Sequence, residues 1–353
     1  MDIMDFLRKV VEEAGSDIFI VAGRPLTYKR SGQVISLEES RLTPDMTEEL
    51  VRIIYALAGG RDIEKLLTSG DDDFSFSIPG LARFRVSSYK QRGSLAAVIR
   101  VVTFTLPSPE ELHIPDSVLS LAKYNKGLIL VTGPAGSGKT TTLACVIDLI
   151  NQMRNDHIVT LEDPLEYLHN HKKSIVSQRE ISSDTESYVK ALRAALRQAP
   201  DVVLLGEMRD YETINVAMTA AETGHLVIST LHTVGAASTI DRVIDVFPSN
   251  QQHQIRIQLS MVLQAVVSQQ LLPTLDNKIV PVFEVMFANG AIRNMIRESK
   301  IHQIDTVIQS SAAEGMVTMD AGLLNLYKQG RISEEVAITH STNPDIMAKR
   351  VKL

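Results

Sequence analysis

A glycine-rich segment, GPAGSGKTTT at residues 133–142, directly follows the apolar run 128–131. Its spacing matches that of phosphate-binding loops, with a glycine at each end of the loop followed by lysine and threonine. Glycines let backbone N–H groups point at phosphates, lysine supplies positive charge, and the threonine hydroxyl can ligate Mg²⁺. The segment therefore predicts a site for ATP and Mg²⁺ formed by Gly133, Pro134, Ala135, Gly136, Ser137, Gly138, Lys139, Thr140 and Thr141.

Carboxylates follow two other short apolar runs. Glu162, Asp163 and Glu166 follow the first run, where they can order a water, hold a metal through water, or cap a turn. After the second run, many P-loop enzymes have an aspartate that supports Mg²⁺. Here that position is Gly206 and the acid is Glu207. We expect Glu207 to support Mg²⁺, directly or through water.

A histidine follows a fourth apolar run. His232 comes directly after 226–231, where it could sense the γ-phosphate of a nucleotide. His225 precedes the same run, and a structural role for it stays open. Each of these apolar runs is short and continuous and is separated from the next by a helical pattern, which is typical of a buried parallel sheet. Because ligands bind off the carboxyl ends of parallel strands, we expect the four strand ends to converge.

Phosphoryl transfer also needs a cation that reaches the transferring phosphate. Arg193 and Arg197 are predicted to lie on a solvated or packing face of a helix whose capping box is 183–186. Better candidates lie in the first hundred residues, and they are Arg83, Arg85, Arg92 and Arg100. For each of them, a surface charge is an equally open alternative.

The elements around these residues suggest two domains. Residues 1–102 combine a helix at 2–14, short strands, a helix from Thr43 to Leu57 and an antiparallel meander at 74–102, which is an α+β pattern. Residues 103–117 carry several prolines and are predicted to be a linker. Residues 118–353 are predicted to form the α/β ATPase domain.

The end of the chain is predicted to be mostly helical from about Asn250, and 290–353 is predicted to be a helical C-terminal region. Residues 291–310 are interpreted as one amphipathic segment, with Ile292 buried and Arg293 pointing outward. Further helices are predicted at 318–329 and from Ser333. The tail from about Ser341 is predicted to be loose.

The composition of the 353 residues is that of a soluble globular protein. Lys and Arg total 36, Asp and Glu total 42, and the formal net charge is −6. No long basic run is present, so nucleic acid is not an expected partner. The single cysteine argues against a disulfide framework and fits a reducing cytoplasm. No apolar run approaches the length of a membrane span, and the charged first twenty residues argue against a signal peptide.

Taken in order, the P-loop, LEDPLEY, LLGEMRD and TGHLVISTLHT resemble the secretion ATPases of type II secretion and type IV pili. The similarity extends over nearly the whole chain. The segments AIRNMIRESKIHQID and AAEGMVTMD near the C-terminus resemble the pilus retraction ATPases within that superfamily.

This resemblance implies a PAS-like N-terminal domain, a RecA-like ATPase domain and a homohexamer with ATP between subunits. It implies a motor that hydrolyses ATP to drive pilus disassembly and twitching motility. The motor would act at the cytoplasmic face of the inner membrane, through a platform protein and indirectly on pilin.

The resemblance also implies roles for individual residues. Glu162 would activate water, Glu207 would be the Walker B acid and His232 the phosphate sensor, while Arg85 and Arg100 would supply positive charge. The choice between Glu162 and Glu207 as the base stays open, with Glu162 favoured. Alternatives are an accessory retraction paralogue, another secretion motor, a nucleic-acid translocase, or a scaffold that binds ATP without hydrolysing it.

Overall fold

The computed structural model describes residues 3–30, 32–36, 39–102 and 106–352. The chain divides into two compact units, the first Met1–Thr105 with Leu165–Leu168 and the second Leu106–Pro164 with His169–Leu353. The predicted boundaries of a linker at 103–117 stay a prediction. Within the described ranges, helices fall short of the length and apolarity needed to cross a bilayer.

The first unit is an antiparallel sheet covered by helices. Its strands are β1 (Asp17–Ile20), β2 (Thr27–Arg30), β3 (Gln33–Ser36), β4 (Asp71–Ile78), β5 (Ala82–Gln91) and β6 (Ser94–Val102), in the order β3-β2-β1-β6-β5-β4. Its helices are α1 (Ile3–Glu12), α2 (Pro44–Leu57) and α3 (Glu64–Ser69). Helix α2 starts where predicted, because Thr43 accepts a hydrogen bond from the Met46 amide and Pro44 occupies the first turn.

The meander of this sheet alternates as the sequence predicts. Phe74 and Phe76 on β4 and Phe84 and Val86 on β5 are buried in one core, whereas Arg85 is exposed on the other face. This alternation follows from the two-residue period of a strand with one buried face.

The second unit is a mostly parallel sheet with helices on both faces. Its strands are β7 (Gly127–Thr132), β8 (His157–Glu162), β9 (Ile175–Glu180), β10 (Val202–Leu205), β11 (Leu226–Leu231), β12 (Leu263–Pro273) and β13 (Ile279–Phe287). Their order is β13-β12-β7-β11-β10-β8-β9, and β13 is antiparallel to β12. The four predicted strands are thus confirmed, and the two units confirm the predicted α/β class.

Helices of the second unit lie before, between and after its strands. They are α4 (Asp116–Leu119), α5 (Lys139–Met153), α6 (Tyr188–Ala195), α7 (Tyr211–Glu222), α8 (Ala236–Asp245), α9 (Ser249–Val262), α10 (Gly290–Arg297), α11 (Ile304–Ser310), α12 (Met319–Lys328), α13 (Glu334–Thr339) and α14 (Pro344–Arg350). Alternate residues of β7 enter different cores: Leu128 and Leu130 pack with α7 to α9, and Ile129 and Val131 pack with α4 and α5.

The prediction of mostly helix after Asn250 is wrong for residues 263–287. Helix α9 ends at Val262, and β12 begins at the next residue. The run 263–272 contains no glycine or proline, so nothing local marks the change. The extended conformation comes from pairing with β7 on one side and β13 on the other.

Three smaller predictions about helices are also wrong. The tail is not loose, because α14 is capped by Asn343 and buries Met347. Segment 291–310 is broken between α10 and α11 by a short 3-10 turn at Ile301–Gln303. Helix α6 is capped by Ser187, which accepts from the Lys190 amide at 3.3 Å, rather than by the box at 183–186.

Arg293 was predicted to point outward, and the structure corrects this. Its guanidinium donates to the carbonyl oxygens of Ser260 and Met261 at 2.7 and 3.0 Å and to Gln264 Oε1 at 3.0 Å. These carbonyls belong to the last turn of α9, which lacks intrahelical donors. A positive charge there also suits the helix dipole. Arg293 therefore closes the end of α9.

Candidate nucleotide site

The P-loop connects β7 to α5 and passes close to β12. Gly133 and Gly138 adopt φ angles of +141° and +84°, in the region that glycine tolerates. A Cβ at Gly133 would lie 2.1 Å from the carbonyl oxygen of Gln269. The glycine is therefore required by the close approach of two backbones as well as by the turn.

The polar groups of the loop suit a phosphate. Lys139 is nearly buried, and its Nζ donates to the carbonyl oxygens of Gly133 and Pro134 at 2.8 and 2.9 Å. Ser137 Oγ is buried without a hydrogen-bond partner among the described residues. Thr140 lies in the first turn of α5, whose positive end faces the loop. These groups fit a nucleotide phosphate with Mg²⁺.

Glu162 is the last residue of β8 and is 7% exposed. Ile158 on the same strand packs with Leu143 and Ile147 of α5. Because strand residues alternate between faces, Glu162 lies on the face that carries the P-loop helix. Gln178 Nε2 is 3.5 Å from its Oε1. The structure thus brings this acid to the P-loop edge of the sheet.

Tyr188 lies close to the strand end at Gly206. A Cβ there would lie 2.8 Å from Tyr188 Oη and 3.2 Å from the Leu161 carbonyl oxygen. Burial raises the pKa of Tyr188, and the nearby charges of Glu207, Asp163 and Glu162 raise it further. A side chain at position 206 would therefore require Tyr188 to shift, and the acid of this strand end stands one residue later, at Glu207.

Glu207 and His232 meet beyond the ends of β10 and β11. Glu207 Oε1 is 2.7 Å from Arg209 Nε, and its Oε2 is 3.5 Å from His232 Nε2. Both residues line a cavity of about 400 Å³ together with Arg242 of α8. The predicted convergence of these two strand ends is present in the structure.

His225 has a structural position. Its Nδ1 is 3.0 Å from the Ala220 carbonyl oxygen and 3.2 Å from Thr223 Oγ1. It therefore contacts a backbone carbonyl at the end of α7. These contacts support the structural role that the sequence left open for His225.

The arginine candidates belong to the first unit and form a pair on its sheet. Arg85 on β5 stands directly opposite Arg100 on β6, and both are exposed. Arg100 Nε is 2.9 Å from Asp17 Oδ1. Their role at the nucleotide stays a prediction. Arg193 pairs with Glu212 at 2.8 Å on the surface, as expected for a solvated face.

A second cavity, of about 650 Å³, opens beside the P-loop. Its wall includes Gly138 and Thr142 from the loop and helix, Ile114 before α4, and Leu271 and Ile279 from β12 and β13. Sequence reasoning missed it, because these residues come from four separate parts of the chain. The adjacent apolar and polar lining suits a flat heterocyclic base with a ribose.

Sequence reasoning also missed the polar side chains of β12 and β13. Thr142 Oγ1 donates to Gln269 Oε1 at 2.8 Å, so β12 holds the first turns of α5. Ser268 and Glu284 hold the loop that follows β11. The signal that could have found them is the polar triplet at 268–270 inside an otherwise apolar run.

Comparison with known proteins identifies the family. Residues 1–343 match the family described as type II/IV secretion system protein. A twitching motility protein of Neisseria gonorrhoeae is 50% identical over 307 residues, which is 86% of this chain and 82% of that protein. The type IV pilus retraction ATPase PilT of Pseudomonas aeruginosa is 42% identical over 345 residues, 98% of this chain and 99% of that one.

A solved structure agrees with these relatives. The crystal structure of the pilus retraction motor PilT with bound ADP superposes with a TM-score of 0.88 at 46% identity and covers 98% of both chains. Both units of the present chain thus have counterparts in that motor, and the P-loop of this chain fits the phosphates of such a nucleotide. This chain is an ATPase that belongs to the type II/IV secretion system protein family, in the group of the pilus retraction ATPases.

Proposed function

We propose that this chain is the motor of type IV pilus retraction and works as a homohexamer. The observation that carries the proposal is the meeting, at one edge of the sheet, of the P-loop, Glu162, Glu207 and His232. Two similar proteins support the proposal, because one is named a pilus retraction ATPase and the other a pilus retraction motor. The chain would act at the cytoplasmic face of the inner membrane, on a platform protein and through it on pilin.

In this proposal the P-loop residues 133–141 bind the phosphates. Backbone N–H groups and the dipole of α5 favour the negative charge, and Lys139 would exchange its two carbonyl partners for phosphate oxygens. Thr140 and Glu207 would hold Mg²⁺, which supplies charge neutralisation on the phosphates. The base would lie in the cavity beside Thr142 and Leu271.

Glu162 is the better candidate for the group that activates water. Glu207 already contacts two side chains, Arg209 Nε at 2.7 Å and His232 Nε2 at 3.5 Å, which suits a group held in place beside Mg²⁺. Glu162, by contrast, is buried at the end of β8, on the sheet face that carries the P-loop helix, where a water beside the γ-phosphate would be shielded from bulk solvent. His232 would respond to the γ-phosphate, and Arg85 and Arg100 would add positive charge to the site.

Glutamine substitutions separate the two carboxylates. We expect Glu162→Gln to reduce ATP turnover at least ~100-fold while Mg·ATP still binds, since only proton transfer is lost. We expect Glu207→Gln to raise the Mg²⁺ concentration needed for half-maximal turnover. Glu186→Gln, at an exposed acid, is the control. Loss of Mg·ATP affinity in Glu162→Gln, with turnover preserved at saturation, would reject the assignment.

The motor role is tested in cells that carry Lys139→Ala. The expected phenotype is pili that assemble but do not retract, measured by optical tweezers or by the twitching zone on agar. Lys190→Ala, at an exposed lysine of α6, is the control and should retract normally. Cells without any surface pili would instead indicate an extension motor. Mass photometry of the purified chain with Mg·ATP tests the hexamer.

A further inference from the structure

Glu284 is a buried acid that the chemistry of the nucleotide site does not use. It lies in β13, is 4% exposed and stands opposite Ser268 in the antiparallel β12–β13 pair. A buried carboxylate is costly unless hydrogen bonds replace its lost water. Its partners therefore indicate why an acid is needed at this position.

The two oxygens of Glu284 bind the first amides of two different helices. Oε1 accepts from the Ala236 amide of α8 at 2.7 Å, and Oε2 accepts from the Met319 amide of α12 at 3.1 Å. Amides in the first turn of a helix lack intrahelical acceptors, and a negative charge is favoured there. One side chain thus joins the starts of both helices.

Helix α8 needs this external cap because it begins after a glycine. Gly235 has no side chain that could accept a hydrogen bond, and its own amide donates to Ser268 Oγ at 2.9 Å. The cross-strand pair Ser268 and Glu284 therefore holds two successive amides at the start of α8. Helix α12, by contrast, also has Thr318 as a side-chain cap.

The segment held in this way carries the histidine of the nucleotide site. Residues 232–235, called here the histidine loop, run from the end of β11 to α8. Thr239 in the first turn of α8 contacts Thr233 Oγ1 at 2.7 Å and donates to the Gly235 carbonyl oxygen at 2.7 Å. The position of His232 relative to Glu207 therefore depends on where α8 begins.

At its other end, Glu284 reaches a helix that packs tightly on β13. A Cβ at Gly322 of α12 would lie 2.9 Å from Val282 Cγ2, so the helix and the strand are in close contact. Val285 and Val317 exchange backbone hydrogen bonds of 2.9 and 3.1 Å just before the helix. Displacement of α12 therefore displaces the strand that carries Glu284.

Gln270 extends the same connection to the next helix. It lies on the same face of β12 as Ser268, and its Oε1 is 3.0 Å from His340 Nδ1 at the end of α13. Its Nε2 donates to the His340 carbonyl oxygen at 3.3 Å. One face of the β12–β13 pair thus contacts the histidine loop on one side and the C-terminal helices on the other.

We infer that Glu284 is a positioning residue that links the histidine loop to α12, so that nucleotide-dependent movement of the loop is passed to the C-terminal helices. The inference rests on nucleotide binding at the P-loop but not on the pilus role. Burial raises the pKa of Glu284, and the two amide hydrogen bonds oppose that effect. The Ala236 and Met319 amides both keep their acceptor only while this side chain offers two oxygens.

The test compares the purified full-length chain with its Glu284→Gln variant. A glutamine keeps the shape but offers one acceptor oxygen, so it can cap one of the two helices. We measure amide hydrogen exchange of segments 232–245 and 318–330 with and without Mg·ADP. In the wild type, Mg·ADP should slow exchange in both segments. In Glu284→Gln, the response of 318–330 should be lost while the dissociation constant for Mg·ADP changes less than ~3-fold, since the P-loop is untouched.

Steady-state kinetics give the second readout. We expect Glu284→Gln to lower kcat for ATP ~10-fold with little change in KM, because a group that orients an active-site loop acts mainly on the chemical step. Glu335→Gln, at an exposed acid of α13, should match the wild type in both measurements.

Two results would overturn the inference: a response of 318–330 to Mg·ADP that is the same in Glu284→Gln and in the wild type, or no response in the wild type. If Glu284→Gln does not fold, Glu284→Asp takes its place, because the shorter side chain keeps the charge but cannot keep both the Ala236 and the Met319 amide within hydrogen-bond distance. Glu284→Asp should weaken the response of 318–330 by at least half, and an unchanged response again rejects the link. Failure of pilus retraction assays has no bearing on these outcomes.

Discussion

Two buried carboxylates, one in each unit, are held by different kinds of partner. Asp72 on β4 is 2% exposed and is bound by side chains: Arg61 at 2.9 and 3.0 Å, Lys65 at 2.8 Å and Tyr55 at 3.0 Å. Glu284 in the second unit is bound by backbone amides of two helices. The first acid faces positive charges, whereas the second faces helix ends.

The pKa shifts of the two acids go in opposite directions. Burial alone would raise the pKa of Asp72, but the hydrogen bonds from Arg61, Lys65 and Tyr55 outweigh it and lower the pKa to about 2. Burial raises the pKa of Glu284, and its two amide bonds do not fully compensate. Charged partners within one unit therefore stabilise the ionised acid, which indicates a role in stability. Glu284 instead spans elements that belong to the nucleotide site and the C-terminus.

The largest effect is expected for a substitution in the P-loop of the second unit. We expect Gly133→Ala to weaken ADP binding ~100-fold, since its Cβ would lie 2.1 Å from the Gln269 carbonyl oxygen and its φ of +141° disfavours a side chain. Titration with a fluorescent ADP analogue measures this. The first unit, including the Asp72 cluster, should keep its wild-type hydrogen exchange.

Gly136→Ala is the matched control for this substitution. Its φ is +76°, but a Cβ there meets no atom within 4 Å. Its loss of affinity should be clearly smaller than that of Gly133→Ala. Equal losses would mean that the turn conformation, rather than contact with β12, determines the requirement for glycine.

The next largest effect is expected for a substitution at Asp72 in the first unit. We expect Asp72→Asn to lower the free energy of unfolding by about 2 kcal/mol, because the buried side chain loses its charge-assisted hydrogen bonds to Arg61 and Lys65. Urea denaturation followed by circular dichroism measures the loss. Asp73→Asn, at the exposed neighbouring acid, should cost less than about 0.5 kcal/mol. A stable Asp72→Asn protein would show that the cluster contributes little.

Acid titration sharpens the comparison. A carboxyl normally has a pKa near ~4 in the unfolded chain. Because the folded pKa of Asp72 is about 2, its contribution to stability is present above pH ~4 and is lost as pH falls from ~4 towards ~2. The stability difference between the wild type and Asp72→Asn should therefore shrink over that interval.

The contribution of Glu284 to stability should change with pH in the opposite direction. Its folded pKa is raised, so its titration favours the folded state most below the unfolded pKa and less as pH rises through the folded pKa. The stability difference between the wild type and Glu284→Gln, from urea midpoints across pH 3 to 7 at ~1-unit steps, should therefore decrease with increasing pH. Parallel pH curves for the two variants would contradict the distinction between the acids.

The smallest effect on stability is expected at the arginine pair of the first sheet. We expect Arg100→Ala to change the free energy of unfolding by less than about 0.5 kcal/mol, because the Arg100 side chain is 64% exposed and its ion pair with Asp17 is therefore screened by water. If the proposed role of Arg85 and Arg100 holds, ATP turnover should nevertheless fall at least ~10-fold in each alanine variant. Wild-type turnover in both would remove these residues from the proposed site.

The nucleotide site shows which features were predictable from sequence. The P-loop, Glu162, Glu207 and His232 could be predicted because each follows a short apolar run, and parallel strands bring such ends together. The close approach of Tyr188 to Gly206 could not be predicted, because nothing in the sequence marks these two residues as neighbours.

The sequence by itself determined the elements whose causes are local. The glycines at 133, 136 and 138 set the backbone of the P-loop, Thr43 and Pro44 started α2, and alternation separated Phe84 from Arg85. Each of these depends on residues a few positions apart, so the pattern carries the information.

Only the tertiary structure determined the conformation and the contacts of β12 and β13. Thr142 and Gln269 are 127 positions apart, and Ala236 and Glu284 are 48 apart. The segment 263–273 is extended and pairs with β7 on one side and β13 on the other. Its conformation, and with it the link from the P-loop and the histidine loop to the C-terminal helices, comes from long-range backbone pairing and buried hydrogen bonds, which neighbouring residues in the sequence do not encode.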